Sequence, residues 1–208
     1  NETLDILKIP VNKRLSSEKF RHIKAKELII TDHPVVVSGQ ATEDIMNIPI
    51  WISQWLRDNF LRENITKNGK KIKKLYIDRG EKTSDRLPQR LIINEDEVKK
   101  YLLENGFISV KLQDIKFIDQ VDLFKNAECV VGLHGGGFAN IVFCKPGTKI
   151  IELRSLEAGP PIENLAKKNS LNYNSITVEA KQIEKLNFPN QHGAIQIPIS
   201  SLTRILEK

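Results

Sequence analysis

Val130-Val131-Gly132-Leu133-His134-Gly135-Gly136-Gly137-Phe138-Ala139-Asn140 is the stretch that decides how this chain is read. An apolar run ends on a histidine, three glycines follow, and an amphipathic segment begins. That order predicts a buried strand, a tight turn and a short helix over 135–143 whose first turn is bare backbone. A helix start leaves amide N–H groups without intrahelical acceptors and concentrates partial positive charge, which suits a phosphate.

Working outward, apolar runs alternate with amphipathic ones. Residues 72–77, 107–112, 129–133, 149–153 and 173–178 read as strands. Residues 94–105, 117–127, 161–169 and 200–207 read as helices. Asn94 followed by Glu97 reads as a capping box, and Lys145-Pro146-Gly147-Thr148 as a type II turn. The alternation predicts an α/β fold: a Rossmann-like parallel sheet with helices on both faces and its ligand beyond the carboxyl ends of the strands. The expected division is an irregular N-terminal part, 1–69, and a Rossmann-like domain, 70–208. In the first part, residues 28–30 and 35–37 read as short strands. Trp51, Ile52, Trp55, Leu56 and Phe60 recur at helical spacing and are expected in the core.

The 208 residues are 40% hydrophobic and 28% charged, ordinary for a globular domain. No apolar run reaches the roughly 18 residues of a membrane span, and no segment reads as a signal peptide. The chain opens on Asn1 rather than methionine, so the reading allows for an upstream part. Cys129 and Cys144 are expected as buried thiols in a reducing compartment. The four histidines are scattered, and no metal site is expected. The net charge is +6, and residues 65–90 alone hold nine basic against three acidic side chains. Such a segment suits an anionic partner: a nucleotide diphosphate, a nucleic acid or a membrane surface. Arg79, Arg86 and Arg90 follow a strand rather than a polar tract, which favours a built anion site. Nucleic acid is not the expected partner; it stays a third class that rests on the lysine cluster alone.

The strand ends bring forward Arg79, Asp114, His134 and Glu152, and the loop after Arg79 adds Arg86 and Arg90. With Gly135, Gly136, Gly137 and Asn140 they form the expected binding set. Guanidinium groups grip phosphate oxygens in bidentate fashion, and a strand-end glutamate can accept hydrogen bonds from ribose hydroxyls. The set can hold a diphosphate without a metal and stabilise it as a leaving group. The glycines do not follow G-x-G-x-x-G, and there is no G-x-x-x-x-G-K-[ST], Asp-x-Asp or G-x-S-x-G. Dinucleotide-dependent dehydrogenases, P-loop enzymes, metal–diphosphate clamps and serine hydrolases are therefore disfavoured. His134 is the candidate catalytic residue, and its role stays open between sugar contact, phosphate contact and turn brace.

An ordered series of residues resembles the core of glycosyltransferase family 61. It runs through Lys74-Leu75-Tyr76-Ile77-Asp78-Arg79, Arg86, Arg90, Ile93 to Val98, Gly106-Phe107, Gln120 and Ala127. It continues through Val131 to Gly137, Asn140, Phe143, Pro146-Gly147 and Ile151-Glu152-Leu153. The resemblance covers about residues 70 to 155. It implies an inverting, metal-independent transfer from a nucleotide sugar, often a UDP-sugar, to a glycan or other hydroxyl acceptor, with no further cofactor. It also implies a GT-B-type fold of which residues 70–208 are the donor-binding half, and a place in capsular or surface polysaccharide synthesis. With a bacterial source, the expected location is the cytoplasm, including the inner face of the membrane; peripheral membrane association and homo-oligomers stay open. The family usually has alanine where this chain has Gly136, and its upstream histidine- or tryptophan-rich segment is not evident. The alternative is an inactive nucleotide- or glycan-binding domain, or a partner subunit.

Overall fold

A computed structural model of the chain describes residues 2–27, 29, 46, 48–61, 72–79, 90–181 and 193–207. In chain order the elements are α1 (Glu2–Ile6), α2 (Ile50–Phe60), β1 (Lys74–Asp78), β2 (Arg90–Ile92) and α3 (Glu95–Glu104). Next come β3 (Ile108–Lys111), α4 (Phe117–Asn126), β4 (Cys129–Leu133), a 3₁₀ segment (Gly136–Phe143) and β5 (Lys149–Ser155). The chain closes with α5 (Pro161–Lys168), β6 (Asn172–Val178), β7 (Gly193–Ile195) and α6 (Ile199–Leu206). Of the strand expected over 28–30 only Ile29 is in the described set, and it is exposed; the strand expected over 35–37 and Arg86 lie outside that set.

Five strands form one all-parallel sheet in the order β3-β1-β4-β5-β6. Numbered along the chain within that sheet, the order is 2-1-3-4-5, so the winding reverses between β1 and β4. This is the Rossmann-like α/β arrangement that the sequence predicts, and such sheets take ligands at the carboxyl side of the reversal. The central strand β4 reads as an unbroken apolar run because both its faces are covered; it is buried at all five positions.

Strand alternation decides which layer each side chain joins. Leu75, Ile77, Val130 and Ile150 pack against α2, α4, the 3₁₀ segment and α5 on one face. Tyr76, Val131, Leu133, Ile151, Leu153 and Ile176 pack against α3 and α6 on the other. The N-terminal helices join the first layer. Glu2 caps α4, accepting from the amides of Phe117 (3.1 Å) and Ile118 (3.4 Å). Arg57 of α2 donates to the carbonyls of Val142 and Cys144, each at 2.7 Å.

Four expectations are corrected. Trp51 and Trp55 are not core residues: they are 53% and 46% exposed, because helical spacing sets Trp51 opposite the buried Ser53 and Phe60, while Trp55 only edges against the Phe60 ring, centroids 6.3 Å apart. The segment after the glycines is 3₁₀ rather than α, opening with Phe138 N–H donating to Gly135 O at 3.1 Å. Asn94 makes no side-chain cap; its amide instead pairs with the backbone of Ile197, donating to O and accepting from N–H, both at 2.9 Å. Finally, β2 and β7 form a small parallel sheet of their own, with Arg90 in register with Gly193. Ile92 and Ile195 lay it on the α3/α6 face. Among the described residues no helix is long and apolar enough to cross a membrane.

Candidate functional site

The reversal between β1 and β4 places two chain ends side by side: Arg79 after β1, and His134 with the glycines after β4. The end of β1 is fixed by charge. Asp78 accepts from Ser109 Oγ (2.9 Å) and Lys99 Nζ (3.1 Å), and Lys99 also meets Glu95 at 3.2 Å. Desolvation alone would lower the Lys99 pKa; the two carboxylates outweigh it and raise it. Arg79 leaves this anchored end and donates from Nη2 to the carbonyl of His134 at 2.5 Å. Arg90 reaches the same carbonyl from β2, Nη1 to O at 3.4 Å. Two guanidinium groups thus converge on one carbonyl oxygen. Arg79 keeps part of its surface in solvent, yet desolvation first, and the Arg90 charge second, lower its pKa. Desolvation also lowers that of Arg90, against the pull of Glu152.

The three glycines do three different jobs. Gly135 has φ 156° and ψ −175°, a conformation that is essentially glycine's alone. A Cβ there would lie 1.9 Å from Arg79 Nη2, so the guanidinium fills the space a side chain would take. Gly137 lies against β1 and the turn after β3, where a Cβ would meet Ile77 Cγ2 at 3.0 Å and Leu112 Cδ1 at 3.3 Å. Gly136 faces open space, with nothing within 4 Å of a built Cβ. That is why an alanine fits the middle position, as the resemblance requires. The turn has no side-chain cap, and its first amides have no intrahelical acceptor.

Asn140 braces this turn. Its Nδ2 donates to Gln120 Oε1 at 3.1 Å, and Gln120 Nε2 donates onward to the carbonyls of Leu112 (2.8 Å) and Ile115 (3.0 Å). Asp114 does not join the set: it is exposed in the 3₁₀ turn after edge strand β3 and bonds to none of the others. Glu152 was expected to face ribose hydroxyls. Instead it is wholly buried, and both its oxygens are engaged, Oε1 by His134 Nδ1 and Oε2 by the Tyr173 hydroxyl. Arg154 Nη1 lies 3.8 Å from Oε2. Tyr173 was not singled out in the sequence, since a tyrosine opening a strand reads as core. Burial first, and Glu152 second, push its hydroxyl up to about 12.

Beside the turn lies a cavity of about 300 Å³. His134, Gly135, Gly136 and Phe138 form its floor, with Arg90 at its edge. Ile162 and Leu165 of α5 form one wall, and Met46 and Ile48 another. That second wall is pinned by α5: Asn164 donates to Met46 O at 3.0 Å and Lys168 to Ile48 O at 2.7 Å. Among the described residues no three His, Cys, Asp or Glu side chains gather as metal ligands would. The arrangement can therefore bring cationic groups and backbone amides to one end of an otherwise apolar, ligand-sized hollow.

The chain is 26% identical over 117 residues to the EGF domain-specific O-linked N-acetylglucosamine transferases of Canis lupus familiaris and Mus musculus, covering 54% of this chain and 22% of each relative. The Gallus gallus protein of the same name is also 26% identical over 117 residues, with 21% of its length covered. The match thus spans about a fifth of the length of these relatives. A family model described as Glycosyltransferase 61 matches residues 6–151, from α1 through the glycine turn to the middle of β5, and the chain belongs to that family.

Proposed function

We propose that this chain is the donor-binding part of a GT-B-type, inverting glycosyltransferase that uses a nucleotide diphosphate sugar. The observation that carries the reading is the convergence of Arg79 and Arg90 on the His134 carbonyl, at the glycine turn and at the winding reversal of the sheet. A diphosphate placed there meets two guanidinium groups and the first amides of the 3₁₀ segment, and needs no metal to offset its charge. The apolar cavity next to the turn takes the part of the donor joined to the diphosphate. An acceptor hydroxyl attacks the anomeric carbon as the bond from that carbon to the phosphate oxygen breaks. The electron pair leaves with the nucleoside diphosphate, where the arginines and amides stabilise it. The hydroxyl proton goes to a base supplied outside the described residues.

UDP-N-acetylglucosamine is the first donor to test, because N-acetylglucosamine stands in the names of the relatives. A thermal-shift screen of nucleoside diphosphates and their sugars decides the matter. Ligand at 100 times Kd adds about 2.7 kcal/mol of stability, so UDP raises Tm clearly. No shift with any nucleotide refutes the reading. Binding without transfer or hydrolysis favours a second reading, a donor-binding module that works with another chain. The short coverage of the relatives is the observation behind it.

A further inference from the structure

Glu152 is a buried acid for which diphosphate binding has no use. Strand alternation puts it on the face of Ile150, which a helical layer covers completely. Its sheet neighbour on β4 is Gly132, and a Cβ there would meet the Phe138 ring at 3.2 Å. Aromatic carbon thus closes over the position. A carboxylate in such a place is costly unless its oxygens are bonded and its charge is met. The three neighbours do this in an ordered way. Tyr173 bonds Oε2 through its hydroxyl, Arg154 stands 3.8 Å from the same oxygen, and His134 Nδ1 sits against Oε1. An ionised carboxylate only accepts, so Nδ1 must carry a proton. Arg154 beside Glu152 and the pull between Glu152 and Arg90 already meet the carboxylate's charge, so the cluster needs no further cation and the imidazole is neutral. Its Nε2 is then a bare acceptor, and no other described residue bonds it.

We propose that Glu152, supported by Tyr173, is a positioning residue that holds His134 as the Nδ1–H tautomer, and that His134 Nε2 accepts a hydrogen bond from a hydroxyl of the transferred sugar. A lone pair at Nε2 is repelled by phosphate oxygens and matches a hydroxyl, so it divides the site. Arginines and amides take the diphosphate, and the imidazole takes the sugar joined to it. This rests on the donor reading above.

The test is ¹⁵N NMR of the full chain with labelled histidine, the His134 signals being assigned with His134→Asn. Near neutral pH the wild type should show a protonated Nδ1 and a bare Nε2. The Nε2 signal should move on adding UDP-N-acetylglucosamine and not on adding UDP alone. Glu152→Met should give mixed tautomers. An imidazolium or an Nε2–H tautomer in the wild type overturns the proposal, as does an equal response to UDP alone. An unchanged tautomer in Glu152→Met also overturns it. If that variant does not fold, the wild-type spectra decide. Failure of any nucleotide to bind would refute the donor reading separately, since the tautomer of the free protein is measured without ligand.

Discussion

Alanine placed in turn at Gly135, Gly136 and Gly137 should give three different outcomes. At Gly135 the backbone conformation itself costs about 1–3 kcal/mol for a residue with a Cβ. The new methyl also takes the place of Arg79 Nη2, from which it would stand 1.9 Å. The guanidinium is the far end of a flexible side chain and can swing away, so the fold survives while the cationic pair is broken. Losing one charged hydrogen bond to phosphate costs about 1.5–3 kcal/mol, or roughly 10- to 150-fold in UDP affinity. At Gly136 the space is open, so alanine should be neutral or stabilise by up to about 1 kcal/mol through the unfolded chain. At Gly137 the methyl presses on Ile77 and Leu112, and overpacking costs about 1–3 kcal/mol with little change in affinity for the folded protein. Urea denaturation gives the stabilities and titration calorimetry the UDP affinities. The reasoning is refuted if Gly135→Ala binds UDP as the wild type does, or if Gly136→Ala is as damaging as Gly135→Ala.

Arg79→Ala should weaken UDP binding roughly 10-fold or more, whereas Lys145→Ala, in an exposed turn, should leave it unchanged; equal effects in calorimetry would mean diffuse attraction to basic surface. UDP binding should persist in excess chelator, and its loss there would place a metal in the site. Gln120→Leu removes the link from Asn140 to two carbonyls and should cost about 1–3 kcal/mol in urea denaturation. Alkali should unfold the protein through groups held neutral by burial. The Cys129 thiol is pushed up to about 11, the Cys144 thiol to about 12 and the Tyr173 hydroxyl to about 12. The unfolded chain loses these protons first, so stability is intact below about pH 9 and falls as pH rises, by up to about 1.4 kcal/mol per pH unit for each group. Tyr173→Phe should flatten that fall above pH 10 in urea titrations.

The sheet was legible because doubly covered strands announce themselves as apolar runs, as in Cys129–Leu133. The ends of those runs then delivered Arg79 and His134 to adjacent positions. The small β2–β7 sheet was not legible: two three-residue strands about a hundred positions apart carry no periodicity. Trp51 and Trp55 were misplaced because an apolar stripe shows helical spacing without saying which side faces the core; Ser53 and Phe60 decide that. Glu152 was misjudged by reading its place at a strand end and not its parity. Its alternation with Ile150 was already the signal that it points into a covered layer, where it needs partners such as Tyr173.

The small sheet also bears on how the protein can be cut. Arg90 is aimed by β2, and β2 is seated by β7 and by the pairing of Asn94 with Ile197. The region matched by the family model stops at residue 151, inside β5 and one residue short of Glu152. A fragment excised at that boundary would keep the glycine turn and Arg79. It would lose the outer strand β6, the acid behind His134 and the seat of Arg90. Recognition and folding follow different boundaries here, and an expression fragment meant to bind nucleotide has to run through α6.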